Sequence, residues 1–479
     1  MFSLPTTPSV GGSPQTIGTN RVRLVFLVAI VICAAALAGV YSRPVEFLAM
    51  FWPANSILAG LLVRARQSNR LLVLVGALLG YQAAGFVAGD PAWLGLQMTA
   101  ANMIGAVAFA FVFCSLETQD RDLTRVRAVL SFIGSAIVAA AVAGVAGGPA
   151  WVSVGDGDYF DGWRTWFSSE LMNYLVLLPG ILALPWPLPR PRFRGWNALL
   201  RHPVVPPAIA LLASAGFGIL ILNPIAIVFP VPALIWCALV VPLPLTCFLV
   251  LLYSGATMFA VKLGVYGLGA NGLSDELIAA VQLGVAMIAL GPVLVASATA
   301  DRRRQFAEIE RAATYDSLTD ALNRGTFLRE AENVLARLRD ARQPVSVILF
   351  DVDHFKRVND AFGHAAGDLA LVSLSAVVRA SIRNGDMFGR LGGEEFSLLL
   401  PGAGSQEAQA VANRLRRQVE RMQTALPGGE VLELTVSIGV ATSPMALVPM
   451  SEMLSFADQT MYEAKHAGRN RVEFVEMPA

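Results

Sequence analysis

Charge is what this sequence has least of: only 15% of its 479 residues are Asp, Glu, Lys or Arg, against 55% hydrophobic. That is too apolar for an ordinary soluble enzyme. The scarcity is uneven, with 15 basic and 11 acidic side chains in residues 1–300 but 21 basic and 24 acidic in residues 301–479. The first part therefore has the composition of a membrane protein and the second that of a soluble one. Neither a sustained basic face nor a Lys/Arg-rich tail occurs, and the net charge is +1, which excludes a general nucleic-acid binder. Cysteine is also rare. Cys33, Cys114, Cys237 and Cys247 all fall in apolar runs without metal-ligand spacing, so they read as small buried hydrophobes that imply neither a disulfide framework nor zinc.

What is abundant in the first part is apolar sequence in runs of about 20 residues, the length needed to cross a bilayer. Six occupy residues 22–41, 45–63, 70–88, 93–115, 128–148 and 164–184; four more, crowded with prolines, occupy 204–222, 224–240, 242–262 and 275–299. Residues 1–20 are a polar tail, and the run after Arg21 and Arg23 is long enough to be a retained first helix rather than a cleaved signal peptide. Basic residues alternate between loops: Arg21 and Arg23; Arg64, Arg66 and Arg70; Arg121, Arg125 and Arg127; Arg190, Arg192, Arg194 and Arg201; then Arg302 to Arg304. The positive-inside rule then puts the N-terminus and everything after residue 301 in the cytoplasm. Polar groups inside the spans are few, chiefly Glu170, Asn102 and Asn173, and read as glue between helices, with Trp163 and Trp166 at an interface. A transporter would carry more buried charge.

Residues 301–315, DRRRQFAEIERAATY, continue helically with Phe306, Ile309 and Ala313 on one stripe able to pair with a second copy. Beyond them lie buried-type strands at 345–351, 396–400 and 434–440, interleaved with helical patterns near 367–382, 405–424 and 451–467. Ser451 is placed to cap the last helix and Gly468 to end it. This interleaving predicts an α/β or α+β layer. A hairpin tip is expected at Gly392–Glu395, and strand geometry can bring Asp351 to it. Three converging carboxylates need a hard cation such as magnesium to offset their repulsion, and Gly392 and Gly393 leave room for a phosphate or base against the backbone.

Five linked segments carry a resemblance: DSLTDALNR (316–324), FDVDHFKRVNDAFGHAAGDLAL (350–371), GGEEF (392–396), TVSIGVAT (435–442) and AKHAGRNRV (464–472). In order and spacing they resemble the GGDEF family of diguanylate cyclases. Residues 44–63, 163–179 and 229–236 resemble the MASE group of integral membrane sensor domains. The resemblance implies a palm-like, nucleotidyl-cyclase type antiparallel sheet with flanking helices, behind a polytopic all-α membrane domain. It further implies condensation of two GTP molecules into cyclic di-GMP by a homodimer, with Mg2+, or Mn2+ in its place, as the metal.

Residue by residue, the resemblance assigns Asp351, Glu394 and the Val352 carbonyl to the metal, leaving Glu395 either to bind metal or to help deprotonate the attacking 3′-hydroxyl. Asn359 and Asp368 fall at the guanine-reading positions, where a carboxylate accepts from guanine and would be left unpaired by adenine. Lys356, Lys465 and Arg469 fall at positions holding the triphosphate. Arg383 and Asp386 form an RxxD frame ahead of the hairpin that implies an inhibitory product site, with Arg390 nearby. His354, His364 and His466 are given no catalytic role, since metal-aided phosphoryl transfer depends on positioning and charge. The expected organisation is a tail at 1–20, a membrane sensor of about eight to ten spans at 21–300 with an unknown stimulus, a helical linker at 301–315 and a cyclase domain at 316–479. The expected site of action is a bacterial inner membrane, with the catalytic domain in the cytoplasm. The competing expectation is a catalytically silent module that binds GTP or cyclic di-GMP.

Overall fold

The computed structural model describes residues 14–42, 49, 51–116, 121, 123–154, 158–185, 203–221, 223–266 and 274–477. The start of the polar tail and the basic loop carrying Arg190 to Arg201 lie outside them. The chain divides into two compact units, Met1–Arg304 and Gln305–Ala479.

Among its described residues the regular structure of the first unit is all helical. Among the described residues six helices are long and apolar enough to cross a membrane: Arg21–Tyr41, Gln67–Ala88, Ala92–Cys114, Val126–Ser153, Leu243–Lys262 and Asp275–Thr314. Their outward faces carry large apolar side chains such as Phe86, Phe111 and Phe259, which suits a lipid surround. Their inward faces carry small residues: a Cβ on Gly80 would stand 2.6 Å from the Ala29 carbonyl oxygen, so only glycine lets those helices approach this closely.

Four of the ten apolar runs are built differently, and proline or charge explains each. Pro53 forces Trp52 out of the helical region, and among the described residues of the run at 45–63 the helix is the twelve-residue Pro53–Arg64. The run at 204–222 is the shorter helix Val205–Ile221. Pro224, Pro230 and Pro232 divide the run at 224–240 into a 3-10 turn, Pro224–Val228, and a helix, Val231–Val240. The run at 164–184 lies in the 25-residue helix Tyr159–Ala183, which carries Asp161, Arg164 and Glu170. Trp163 and Trp166 pack against Gly144 and Gly147 of the neighbouring helix.

The second unit is a six-stranded sheet between two helical layers, in the order β1-β3-β4-β2-β7-β8. The strands are β1 (Leu322–Asn323), β2 (Val345–Val352), β3 (Met387–Gly392), β4 (Glu395–Pro401), β7 (Val436–Ser443) and β8 (Val472–Glu476), with β5 (Gln423–Ala425) and β6 (Val431–Glu433) forming a separate ribbon. The three ladders at the centre are antiparallel and the two edge ladders parallel, so the sheet is mixed. Strand alternation builds two cores. On one face Ile348, Phe350, Phe396 and Leu398 pack under helices His364–Ser381 and Ser405–Glu420. On the other, Val347, Leu349 and Leu399 pack under Arg324–Asp340 and Met450–His466.

Ser451 does not cap the last helix. Pro449 occupies the N-cap position, and the Glu332 carboxylate accepts a hydrogen bond from the Met450 amide at 3.1 Å. Gly468 follows the helix with φ +114°, as a C-terminal glycine should.

Candidate active site

Register and alternation together place the acidic residues. Asp351, at the end of β2, lies directly opposite Glu395, the first residue of β4. Odd-numbered β2 residues face the layer that holds Met450–His466, so Asp351 points towards that helix. Lys465 from its last turn reaches back, Nζ to Oδ1 at 2.9 Å. Gly392 pairs with Glu395 across a two-residue turn, Gly393–Glu394, where Gly393 has φ +35°. The structure thus brings Asp351, Glu394, Glu395, Gly392, Gly393 and Lys465 to one end of the sheet.

Asp351 is only 7% exposed, and its carboxyl is pushed up to about 6. Burial is the largest cause, the Lys465 hydrogen bond and charge oppose it, and the charges of Glu394 and Glu395 add to it. A lysine ammonium thus sits on the carboxylate that most needs a cation. Between Glu395 and the Met450–His466 helix opens a cleft of ≈ 320 Å³, lined also by Ser455, Asp458, Gln459, Tyr462 and Lys465.

Among the described residues no three His, Cys, Asp or Glu side chains converge as a ready-made ion cage. Magnesium does not need one, since it is held by one or two carboxylates with substrate phosphates completing the shell. Asp351 with its lysine stand-in, Glu394 and the Val352 carbonyl suit that manner of binding.

Asn359 and Asp368 come from consecutive helices, Phe355–Phe362 and His364–Ser381, separated by Gly363 at φ +82°. The Asn359 amide lies against the second helix because residue 367 is glycine: a Cβ there would stand 2.0 Å from the Asn359 Oδ1. Lys356 is exposed on the first of these helices, and Arg469 is exposed in a left-handed conformation at φ +61°. None of these four lines the cleft beside Glu395.

Arg383 and Asp386 do form a pair, Nε to Oδ1 at 3.2 Å, and Arg383 also reaches Glu407 at 2.8 Å and the Pro401 carbonyl at 3.0 Å. Arg390 takes other partners. Its guanidinium donates twice to the Gly393 carbonyl, at 2.9 and 2.6 Å, and once to Asp316 at 2.8 Å, over the Phe396 ring. It tethers the catalytic turn.

Two positioning residues escaped the sequence reading. Asp316 accepts from the Thr319 amide and hydroxyl as well as from Arg390. Burial pushes its carboxyl up, but the Thr319 and Arg390 hydrogen bonds outweigh that and hold it below the usual range. Asp353, buried two residues past Asp351, accepts from Ser437 at 2.6 Å, Thr435 at 2.7 Å and the Asn470 amide at 3.1 Å. It fixes the loop that carries Arg469. The only sequence sign of this was the alternate Asp in FDVD.

Carboxylates gathered at the end of the antiparallel centre of a mixed sheet, beside a glycine turn and a lysine, suit an enzyme of the nucleotidyl-transferring class. Residues 313–471 match the family model described as "Diguanylate cyclase, GGDEF domain", so this part of the chain is a GGDEF domain. The chain is similar along most of its length to "Probable diguanylate cyclase DgcF" of Escherichia coli O157:H7, at 26% identity over 90% of both chains. It is 35% identical to "Diguanylate cyclase A" of Treponema denticola over 31% of this chain and 39% of that one. Among solved structures, the active GGEEF domain of a diguanylate cyclase from Vibrio cholerae aligns at 29% identity, covering 33% of this chain and 98% of that one, with a TM-score of 0.31.

Proposed function

We propose that the protein is a membrane-embedded diguanylate cyclase that joins two GTP molecules into cyclic di-GMP, under control of a MASE-type sensor domain. The observation that carries the proposal is the β2–β4 register, which sets Asp351 opposite Glu395 beside the Gly393–Glu394 turn. In each half-reaction the 3′-hydroxyl of one GTP attacks the α-phosphorus of the other and pyrophosphate leaves. Asp351, Glu394 and the Val352 carbonyl would hold Mg2+, or Mn2+ in its place. The bound metal supplies charge neutralisation at the phosphates. Lys465, released from Asp351, joins Lys356 and Arg469 on the triphosphate, while Asn359 and Asp368 read guanine. Glu395, at the mouth of the cleft, is positioned to take the proton from the attacking hydroxyl.

Each catalytic domain holds one GTP, so two must face each other and a homodimer is required. The exposed Phe306 and Ile309 on the helix that enters the domain are suited to that pairing. The assigned partition is a tail at 1–20, a sensor at 21–300, a linker at 301–315 and a cyclase at 316–479. A bacterial inner membrane with the cyclase on the cytoplasmic side follows from the alternation of basic loops. Arg383 and Asp386 form the product site in this scheme.

The test is the full-length protein in lipid nanodiscs, given GTP and Mg2+ and read by chromatography for cyclic di-GMP. Glu394→Ala is expected to lower turnover ~100- to 1,000-fold, the range of losses for a group that stabilises transition-state charge. No product from the unsubstituted protein, freed of cyclic di-GMP beforehand, would leave the silent binding module as the function.

A further inference from the structure

Within the helical unit lies a second cavity, of ≈ 190 Å³, that the cyclase chemistry does not use. Its walls include four aromatic side chains, Trp52, Tyr81, Trp151 and Trp166, and its ionisable lining consists, besides Tyr81, of three carboxylates, Asp90, Glu170 and Asp275. No lysine or arginine is among its lining residues.

Glu170 is the centre of the arrangement. It is 3% exposed, and one of its oxygens accepts from Asn55, which also donates to Asn102 at 2.9 Å and accepts from the Tyr81 hydroxyl. Its other oxygen, Oε2, has the Tyr174 hydroxyl as its polar neighbour, without the geometry of a full hydrogen bond to it. A buried carboxylate left half satisfied, with no cation beside it, is costly to keep. Rings of Trp and Tyr present the negative faces of their π-systems, which attract a cation stripped of water. A lone metal ion would want a compact shell of oxygens, whereas this space is wide and aromatic.

We propose that this cavity binds a small organic cation of the methylated-ammonium class, its charge against Glu170 and its methyl groups against the aromatic walls. Asp90 and Asp275 lie at the ends of helices whose opposite ends carry Arg70 and Arg302 to Arg304, so in the topology proposed above the cavity faces away from the cytoplasm. The binding site stands on its own geometry; only its use as the sensor input rests on the proposed function.

Tryptophan fluorescence of the full-length protein in nanodiscs, titrated with choline, tests it. Saturable quenching is expected, together with at least ~10-fold weaker binding of 3,3-dimethyl-1-butanol, the neutral carbon isostere, and at least ~10-fold weaker choline binding by Glu170→Gln. No saturable change, or equal binding of choline and its neutral isostere, overturns the proposal without recourse to a variant. If choline binds as expected but leaves the rate of cyclic di-GMP formation unchanged, the site stands and the sensor assignment falls.

Discussion

Replacing Asp351 by Asn should make the catalytic unit more stable while abolishing its chemistry. The carboxyl's ordinary value of 3.8 rises to about 6 in the fold, a shift of about 2 units, worth at most roughly 3 kcal/mol at 1.36 kcal/mol per unit. Because the site opens onto a cleft, solvent screening reduces this to about 1–2 kcal/mol. The sign follows from proton binding. Between pH 4 and 6 the folded carboxyl holds a proton that the unfolded chain has lost, so stability falls as pH rises through that window and stays low above it. Asn carries no such charge. The two proteins should therefore be about equally stable near pH 4 and diverge towards pH 7, by roughly 2–4 °C in Tm per kcal/mol for a unit of this size. Thermal unfolding of residues 305–479, followed by circular dichroism in EDTA from pH 4 to 8, measures the gap. Millimolar Mg2+ with a GTP analogue should stabilise the Asp351 protein and not the variant. A gap that does not grow with pH, or a less stable variant at pH 8, would refute the reasoning.

Two further outcomes are expected. Gly367→Ala puts a methyl 2.0 Å from the Asn359 Oδ1 and must swing that amide aside; KM for GTP should rise ~10-fold, equivalent to about 1.4 kcal/mol, with kcat changing less, and an unaltered KM would remove Asn359 from guanine recognition. Arg383→Ala should relieve inhibition by added cyclic di-GMP while shifting stability by less than ~1 kcal/mol, since that side chain is 53% exposed; inhibition that persists unchanged would move the product site elsewhere.

Much of the catalytic unit could be read from its residues because its strands alternate and its motifs are contiguous. VSVILFD announces β2, and Asp351 at its end meets the hairpin because both lie on central strands. The pairing of Lys465 with Asp351 was not legible, since it depends on the last helix crossing the face on which Asp351 emerges, and that crossing needs Gly439, where a Cβ would stand 2.0 Å from the Ala457 carbonyl oxygen. The partners of Arg390 were not legible for a related reason: its position beside RxxD says nothing about the carbonyl and carboxylate it finds in three dimensions. In the helical unit, hydropathy located the apolar runs, and prolines such as Pro53, Pro224 and Pro232 then set where some of their helices begin. Glu170 read as helix glue from sequence; only its neighbours show a cavity.

The tether at Arg390 has a mechanical consequence. The helix that enters the catalytic unit ends at Thr314, and the Ala313 carbonyl is held by Asn323 at 2.8 Å and Thr326 at 3.1 Å. Two residues past that helix end, Asp316 grips the same guanidinium that grips Gly393. In the scheme proposed above, a rotation of the incoming helix would reach the turn bearing Glu394 through this Asp316–Arg390 strut, with the packed sheet as the frame against which the turn moves.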